Sequence, residues 1–66
     1  MIYVRNIQEG DRFILKRTGE IYTKLAVTVI YNKLRHNVLK KGSDTPTDLN
    51  HSCIVKPIYR YYDIYE

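Results

Sequence analysis

Apolar and polar positions alternate with a period of two along most of this chain, which is the pattern of half-buried β-strands. Ile2 and Val4 alternate with Tyr3 and Arg5, predicting a short first strand or an extended lead-in. From Arg12 to Arg17, Phe13 and Leu15 share one face, while Arg12, Ile14 and Lys16 share the other. Glu20 to Tyr31 then reads as one long strand. Ile21, Thr23, Leu25, Val27, Val29 and Tyr31 fall on one parity; Tyr22, Lys24, Ala26, Thr28 and Ile30 fall on the other. The first set is the more apolar, so it is predicted to face the core. A strand this long must bend, as strands shared between the halves of a small barrel do. Ile54 to Ile58 is the last core strand, and Pro57 confines it to an edge or an end.

Turn chemistry separates these runs. Ile7-Gln8-Glu9-Gly10-Asp11 predicts a turn anchored by Ile7, with Gly10 free to take a left-handed backbone. Thr18-Gly19 predicts a tight hairpin, and Asn32-Lys33 a further turn. Leu34 to Lys41 reads in two ways. As a strand it places Leu34, His36 and Val38 on one face. As a short helix over 32–41 it aligns Tyr31, Leu34, Val38 and Leu39, with Gly42 as the stop. The two preceding hairpin turns favour the strand. Gly42 to Asp48 is a polar surface loop, and Leu49 to Cys53 suits one turn of 3₁₀ helix. Four of the seven tyrosines lie in 59–66, a composition that predicts a terminal strand paired with Met1–Arg5 or with a second copy.

Sixty-six residues make a single domain, 1–66, that hides only about 60% of its unfolded surface. Such chains often rely on disulfides, metals or oligomerisation. Cys53 is the sole cysteine, so an internal disulfide is excluded and a reducing, cytoplasmic setting is expected. His51-x-Cys53 with a distant His36 lacks the paired spacing of a zinc site. No apolar run approaches membrane-spanning length, and the N-terminus has no signal-peptide pattern. No cofactor is expected.

The order Gly10-Asp11-x-Phe13, a hairpin at Thr18-Gly19, a long bent strand, a variable loop and Leu49-x-x-Ser52-Cys53-Ile54-Val55-Lys56-Pro57 resembles an SH3-like small barrel over roughly residues 7–58. The resemblance implies an all-β fold, a five- to six-stranded barrel. In size, basicity and tyrosine content the chain is also similar to small accessory proteins of tailed bacteriophages. That resemblance implies binding of nucleic acid or inhibition of a host protein.

The charge is +4 and unevenly placed. Between residues 16 and 41 lie Lys16, Arg17, Lys24, Lys33, Arg35, Lys40 and Lys41, against Glu20 alone. With Tyr22 beside Lys24, these form the candidate nucleic-acid surface: cations neutralise phosphates, and an exposed aromatic stacks on a base. The bland alternative is an ordinary solvated face. Tyr3, Tyr59, Tyr61, Tyr62 and Tyr65, with Ile30, form the candidate protein interface, since tyrosine buries area while keeping a polar tip. Docking on a host or phage protein, or homodimerisation through the terminal strands, would use that edge. Catalysis is not expected: no nucleophile elbow, phosphate-binding loop or metal motif accompanies His36, His51, Ser52 or Cys53. The leading expectation is a non-catalytic RNA- or DNA-binding protein.

Overall fold

A computed structural model of the chain describes residues 1–26, 30–31 and 34–58, with 30–31 and 34–35 described as backbone. Among the described residues the regular structure is strand, apart from one short 3₁₀ turn. Strands β1 (Arg12–Leu15), β2 (Ile21–Lys24), β5 (Val38–Lys40) and β6 (Val55–Pro57) form one open antiparallel sheet in the order β5-β2-β1-β6. Strands β3 (Ile30–Tyr31) and β4 (Leu34–Arg35) pair separately, Tyr31 opposite Leu34. Residues 34–35 and 38–40 are therefore strand, and the helical alternative for 32–41 is set aside. The Asn32-Lys33 turn and the terminal strand at 59–66 lie outside the described residues.

Glycine sets the two turns that frame β1. Gly10 (φ +89°) and Gly19 (φ +78°) occupy left-handed backbone that side chains disfavour. At the first turn, the Gly10 N–H donates to the Lys24 carbonyl, and the Lys24 N–H to the Asp11 carbonyl. At the second, the Gly19 N–H donates to the Leu15 carbonyl, and the Leu15 N–H to the Glu20 carbonyl. In each case two residues oppose one across the ladder, a β-bulge with glycine first. The β1–β2 connection is thus the four residues Lys16–Gly19 rather than a two-residue loop.

That hairpin fixes which face is buried. Phe13 pairs with Tyr22 and Ile14 with Ile21. Residues directly opposite share a face, so Tyr22 and Lys24 follow Phe13 and Leu15 inward. The expected parity of this segment is corrected: Tyr22 is 7% exposed and Lys24 9%, whereas Ile21 and Leu25 are only half-buried. The expected continuous strand is also interrupted, since Leu25 and Ala26 belong to neither ladder. The core comprises Val4, Ile7, Phe13, Leu15, Tyr22, Val38 and Val55, with Ile2, Leu49 and Cys53 packed against it. Phe13 and Tyr22 stack with ring centroids 5.8 Å apart.

The N-terminus departs from expectation as well. Tyr3 bridges Ile54, but Val4–Asn6 form a single 3₁₀ turn, with the Asn6 side chain accepting from the Tyr3 N–H at 2.9 Å. The chain end pairs along 51–55 through Val4 N–H to the Cys53 carbonyl (3.0 Å) and Val55 N–H to the Ile2 carbonyl (2.9 Å). Leu49 to Cys53 contains an Asn50–Cys53 turn and no 3₁₀ helix.

Both edges of the sheet are covered at these positions. On β6, residues 54, 56 and 58 face β1, so Val55 and Pro57 point to the free side. Val55 donates to Ile2, and Pro57 has no N–H to offer, which blunts strand addition. On β5, Val38 exchanges both backbone bonds with Thr47. The polar loop of 42–48 is thereby tied to the sheet rather than loose.

Candidate nucleic-acid interface

With its inner face packed and these edges covered, the sheet meets solvent through its outer face. The register builds that face row by row. One row runs Lys56–Ile14–Ile21–Lys41, where the Lys41 N–H donates to the Ile21 carbonyl at 2.8 Å. A second runs Arg12–Thr23–Leu39. Lys16 extends the pattern opposite Ile54, its N–H 3.1 Å from the Ile54 carbonyl. Strands lie about 4.8 Å apart, so Lys56 and Lys41 stand roughly 14 Å from each other at the two margins.

Arg12, Lys16, Lys41 and Lys56 are exposed, while Ile14, Ile21, Thr23 and Leu39 are half-buried between them. No carboxylate occupies a ladder position of this face among the described residues. The result is an aliphatic band bounded by cations. Like charges repel a second copy of the same face, whereas an acidic partner is attracted.

The sequence-predicted surface is not held together. Lys16 and Lys41 belong to the outer face, and Arg17 is exposed in the hairpin turn beside Lys16. Lys40 has the opposite parity and pairs with Glu20 at the rim of the inner face. Glu20 also accepts from the Tyr22 hydroxyl at 3.3 Å and has its carboxyl held below the usual range, chiefly by its bond with Lys40. Lys40 is correspondingly raised by Glu20, and burial raises Tyr22.

Tyr22 is buried and cannot stack on a base from this position. Lys24 is equally withdrawn: its Nζ donates to the carbonyls of Val4 (3.0 Å) and Ile7 (3.1 Å). The Ile7 carbonyl ends the 3₁₀ turn, and the Val4 carbonyl also accepts from the Ile7 N–H at 3.1 Å within it. Of the interface candidates, Tyr3 is half-buried with the Arg5 guanidinium 4.4 Å from its ring centroid. Lys33, the Arg35 and Ile30 side chains, Tyr59, Tyr61, Tyr62 and Tyr65 lie outside the described residues.

Sequence reasoning missed Arg12 and Lys56. The signal was present, because Arg12 shares parity with Ile14, and Lys56 with the exposed Ile54. It also missed a groove of about 430 Å³ lined by Arg5, Lys24, Leu25, His36, Asn37, Asp48, Leu49 and His51. There the Asp48 carboxylate meets His36 Nδ1 at 3.2 Å and accepts from the Asn37 N–H at 3.2 Å. The Asn37 side chain clamps Leu49, donating to its carbonyl (2.8 Å) and accepting from its N–H (3.0 Å).

No group of three or more His, Cys, Asp or Glu side chains suited to a metal ion occurs among the described residues. No helix among them is long and apolar enough to cross a membrane. Comparison of the chain with protein-family models, with curated proteins and with solved structures finds no match.

Proposed function

We propose that this chain is a non-catalytic nucleic-acid-binding protein, a small SH3-like barrel that grips a phosphate backbone with the outer face of its sheet. The observation that carries this reading is the set Arg12, Lys16, Lys41 and Lys56 on a face without a carboxylate at its described ladder positions. Arg17 extends the set at the hairpin. Four phosphate contacts give single-stranded binding a log–log salt slope near −3, from about −0.7 per contact. The test is a titration of a mixed oligonucleotide at several salt concentrations. Absence of binding at low salt, or a flat response, overturns the reading.

A second reading is an inhibitor of a host or phage protein with an acidic rim, working in the cytoplasm of an infected cell. Its support is the band of Ile14, Ile21 and Leu39 between the cations, since apolar area is what a phosphate backbone does not use. Affinity capture with nuclease treatment separates the two readings: a partner that survives nuclease favours the inhibitor.

A further inference from the structure

The groove at the end of the sheet has a different chemistry from the outer face and shares none of its cations. Most of its polar wall groups are engaged in holding the walls. Lys24 closes on Val4 and Ile7, Asn37 clamps Leu49, and both carboxylate oxygens of Asp48 bond residues 36 and 37. These bonds tie residue 24 to 4–7 and residues 36–37 to 48–49, so the groove is pre-formed.

Two wall groups are placed differently. The Arg5 guanidinium lies over the Tyr3 ring and meets Ser52 Oγ only at 3.4 Å. No carboxylate pairs with Arg5 among the described residues. Stacking on tyrosine presets the planar fork that recognises phosphate through two parallel bonds. His51 is exposed at the same rim, and its backbone carbonyl accepts from the Arg5 N–H at 3.2 Å, which keeps the two residues side by side. Below them, Leu25 and Leu49 give the groove apolar walls. A space of this size, mostly apolar with a few convergent donors, is the form of a small-ligand site.

We propose that this groove binds one phosphate-bearing nucleotide, its phosphate on Arg5 and His51 and its base against Leu25 and Leu49. The proposal rests on the nucleic-acid reading for its ligand class alone. The nucleotide is either free or one unit of a strand whose remainder follows the outer face.

The test is an amide NMR titration of the full chain with adenosine monophosphate, inorganic phosphate, adenosine and a short oligonucleotide as separate arms. Saturable shifts of residues 5, 25, 36, 49 and 51 with the mononucleotide are expected. Arg5→Ala should weaken them at least about tenfold, the loss of one charge-assisted contact. Arg5→Lys should fall between, because it keeps the charge and loses the fork. Lys16→Gln with Lys41→Gln should leave mononucleotide binding unchanged.

No groove shifts up to about 10 mM, equal binding by the Arg5→Ala protein with a native-like spectrum, or inorganic phosphate matching the mononucleotide each overturn the proposal. Oligonucleotide binding that depends on Lys16 and Lys41, with no groove shifts from the mononucleotide, overturns it while leaving the outer-face reading intact. Mononucleotide binding in the groove without any oligonucleotide binding does the reverse.

Discussion

Lys24 Nζ lies 3.0 Å from the carbonyl oxygen of Val4, twenty residues earlier, and binds a side chain that looks like a surface cation to the turn that opens the fold. The same ammonium holds the Ile7 carbonyl. Replacing Lys24 with methionine keeps the stem and removes both donors. The Ile7 carbonyl then loses its side-chain donor, at about 1–3 kcal/mol where water cannot reach it, while the Val4 carbonyl keeps the Ile7 N–H. A 66-residue domain has only about 3–10 kcal/mol in total. Lys24→Met should therefore lower the urea midpoint severely, and amide exchange at residues 4–7 should rise. A midpoint unchanged from the parent would show that solvent satisfies these carbonyls.

Phe13 and Tyr22 make a second prediction. Phe13 is fully buried and stacks on Tyr22 at the centre of the sheet. Phe13→Ala and Tyr22→Ala should each cost about 3–5 kcal/mol through lost contact and cavity formation. Tyr22→Phe keeps the ring and removes only a long bond to Glu20, so it should cost under about 1 kcal/mol. Thermal melts of the three variants separate a core tyrosine from a surface one. Were Tyr22 an exposed stacking residue, Tyr22→Ala would leave the melting temperature nearly unchanged.

Much of the fold could be read in the residues, and the principal error was one of parity. Gly10 and Gly19 announced both turns because only glycine enters that backbone region cheaply. Phe13 and Leu15 declared the inner face of β1, Ile7 its place in the core, and Pro57 its edge position. The inner face of β2 was misjudged by weighing apolarity strand by strand. Ile21 and Leu25 outweigh Tyr22 and Lys24 on any hydropathy scale, yet pairing decides the matter. A loop of either two residues (18–19) or four (16–19) puts Leu15 on the same face as Tyr22. The hairpin thus carried the answer that composition obscured. The groove could not be read in this way, because Arg5, His36 and His51 meet only through the path of the chain between β5 and β6.

The Glu20–Lys40 pair predicts a particular pH response. Glu20 has its folded-state pKa lowered, so its contribution is present above the unfolded carboxyl value, near 4.3, and fades as pH falls through the folded one. Lys40 is raised, so its contribution is complete below the unfolded lysine value, near 10.4, and fades as pH rises through the folded one. Tyr22, raised by burial, adds a loss of stability on the alkaline side as its phenol is driven to ionise. Both partners of the ion pair are solvent-accessible, so the effect is small and weakens with salt. The melting temperature of Glu20→Gln should lie slightly below the parent at neutral pH and converge with it in acid. A constant gap down to about pH 2 would mean that the loss is not one of charge.

Gly10 and Gly19 yield a prediction independent of contacts. A Cβ added at either position meets no atom within 4 Å, so any penalty comes from backbone strain and not from crowding. Alanine at either site should cost about 1–2 kcal/mol, and asparagine, which tolerates this conformation, less. Equilibrium unfolding of the four variants gives the ordering. Equal stability of the alanine and glycine forms would mean that the bulge relaxes to another conformation.

The outer-face reading is tested most sharply by lysines that look alike in sequence. Lys40 and Lys41 are adjacent, but strand alternation separates them: Lys41 joins the row with Ile21, Ile14 and Lys56, whereas Lys40 turns to Glu20 on the opposite face. Each phosphate-contacting cation contributes about 0.7 to the salt slope of single-stranded binding. Lys41→Gln and Lys56→Gln should therefore each reduce the magnitude of that slope by about 0.7 and weaken affinity alike for all sequences. Lys40→Gln should leave the slope within error of the parent, since its charge is directed away from the face and partly neutralised. Because all three side chains are exposed, the comparison is made among folded proteins of similar stability. A slope that falls equally for Lys40 and Lys41 would indicate diffuse attraction to net charge and no oriented face.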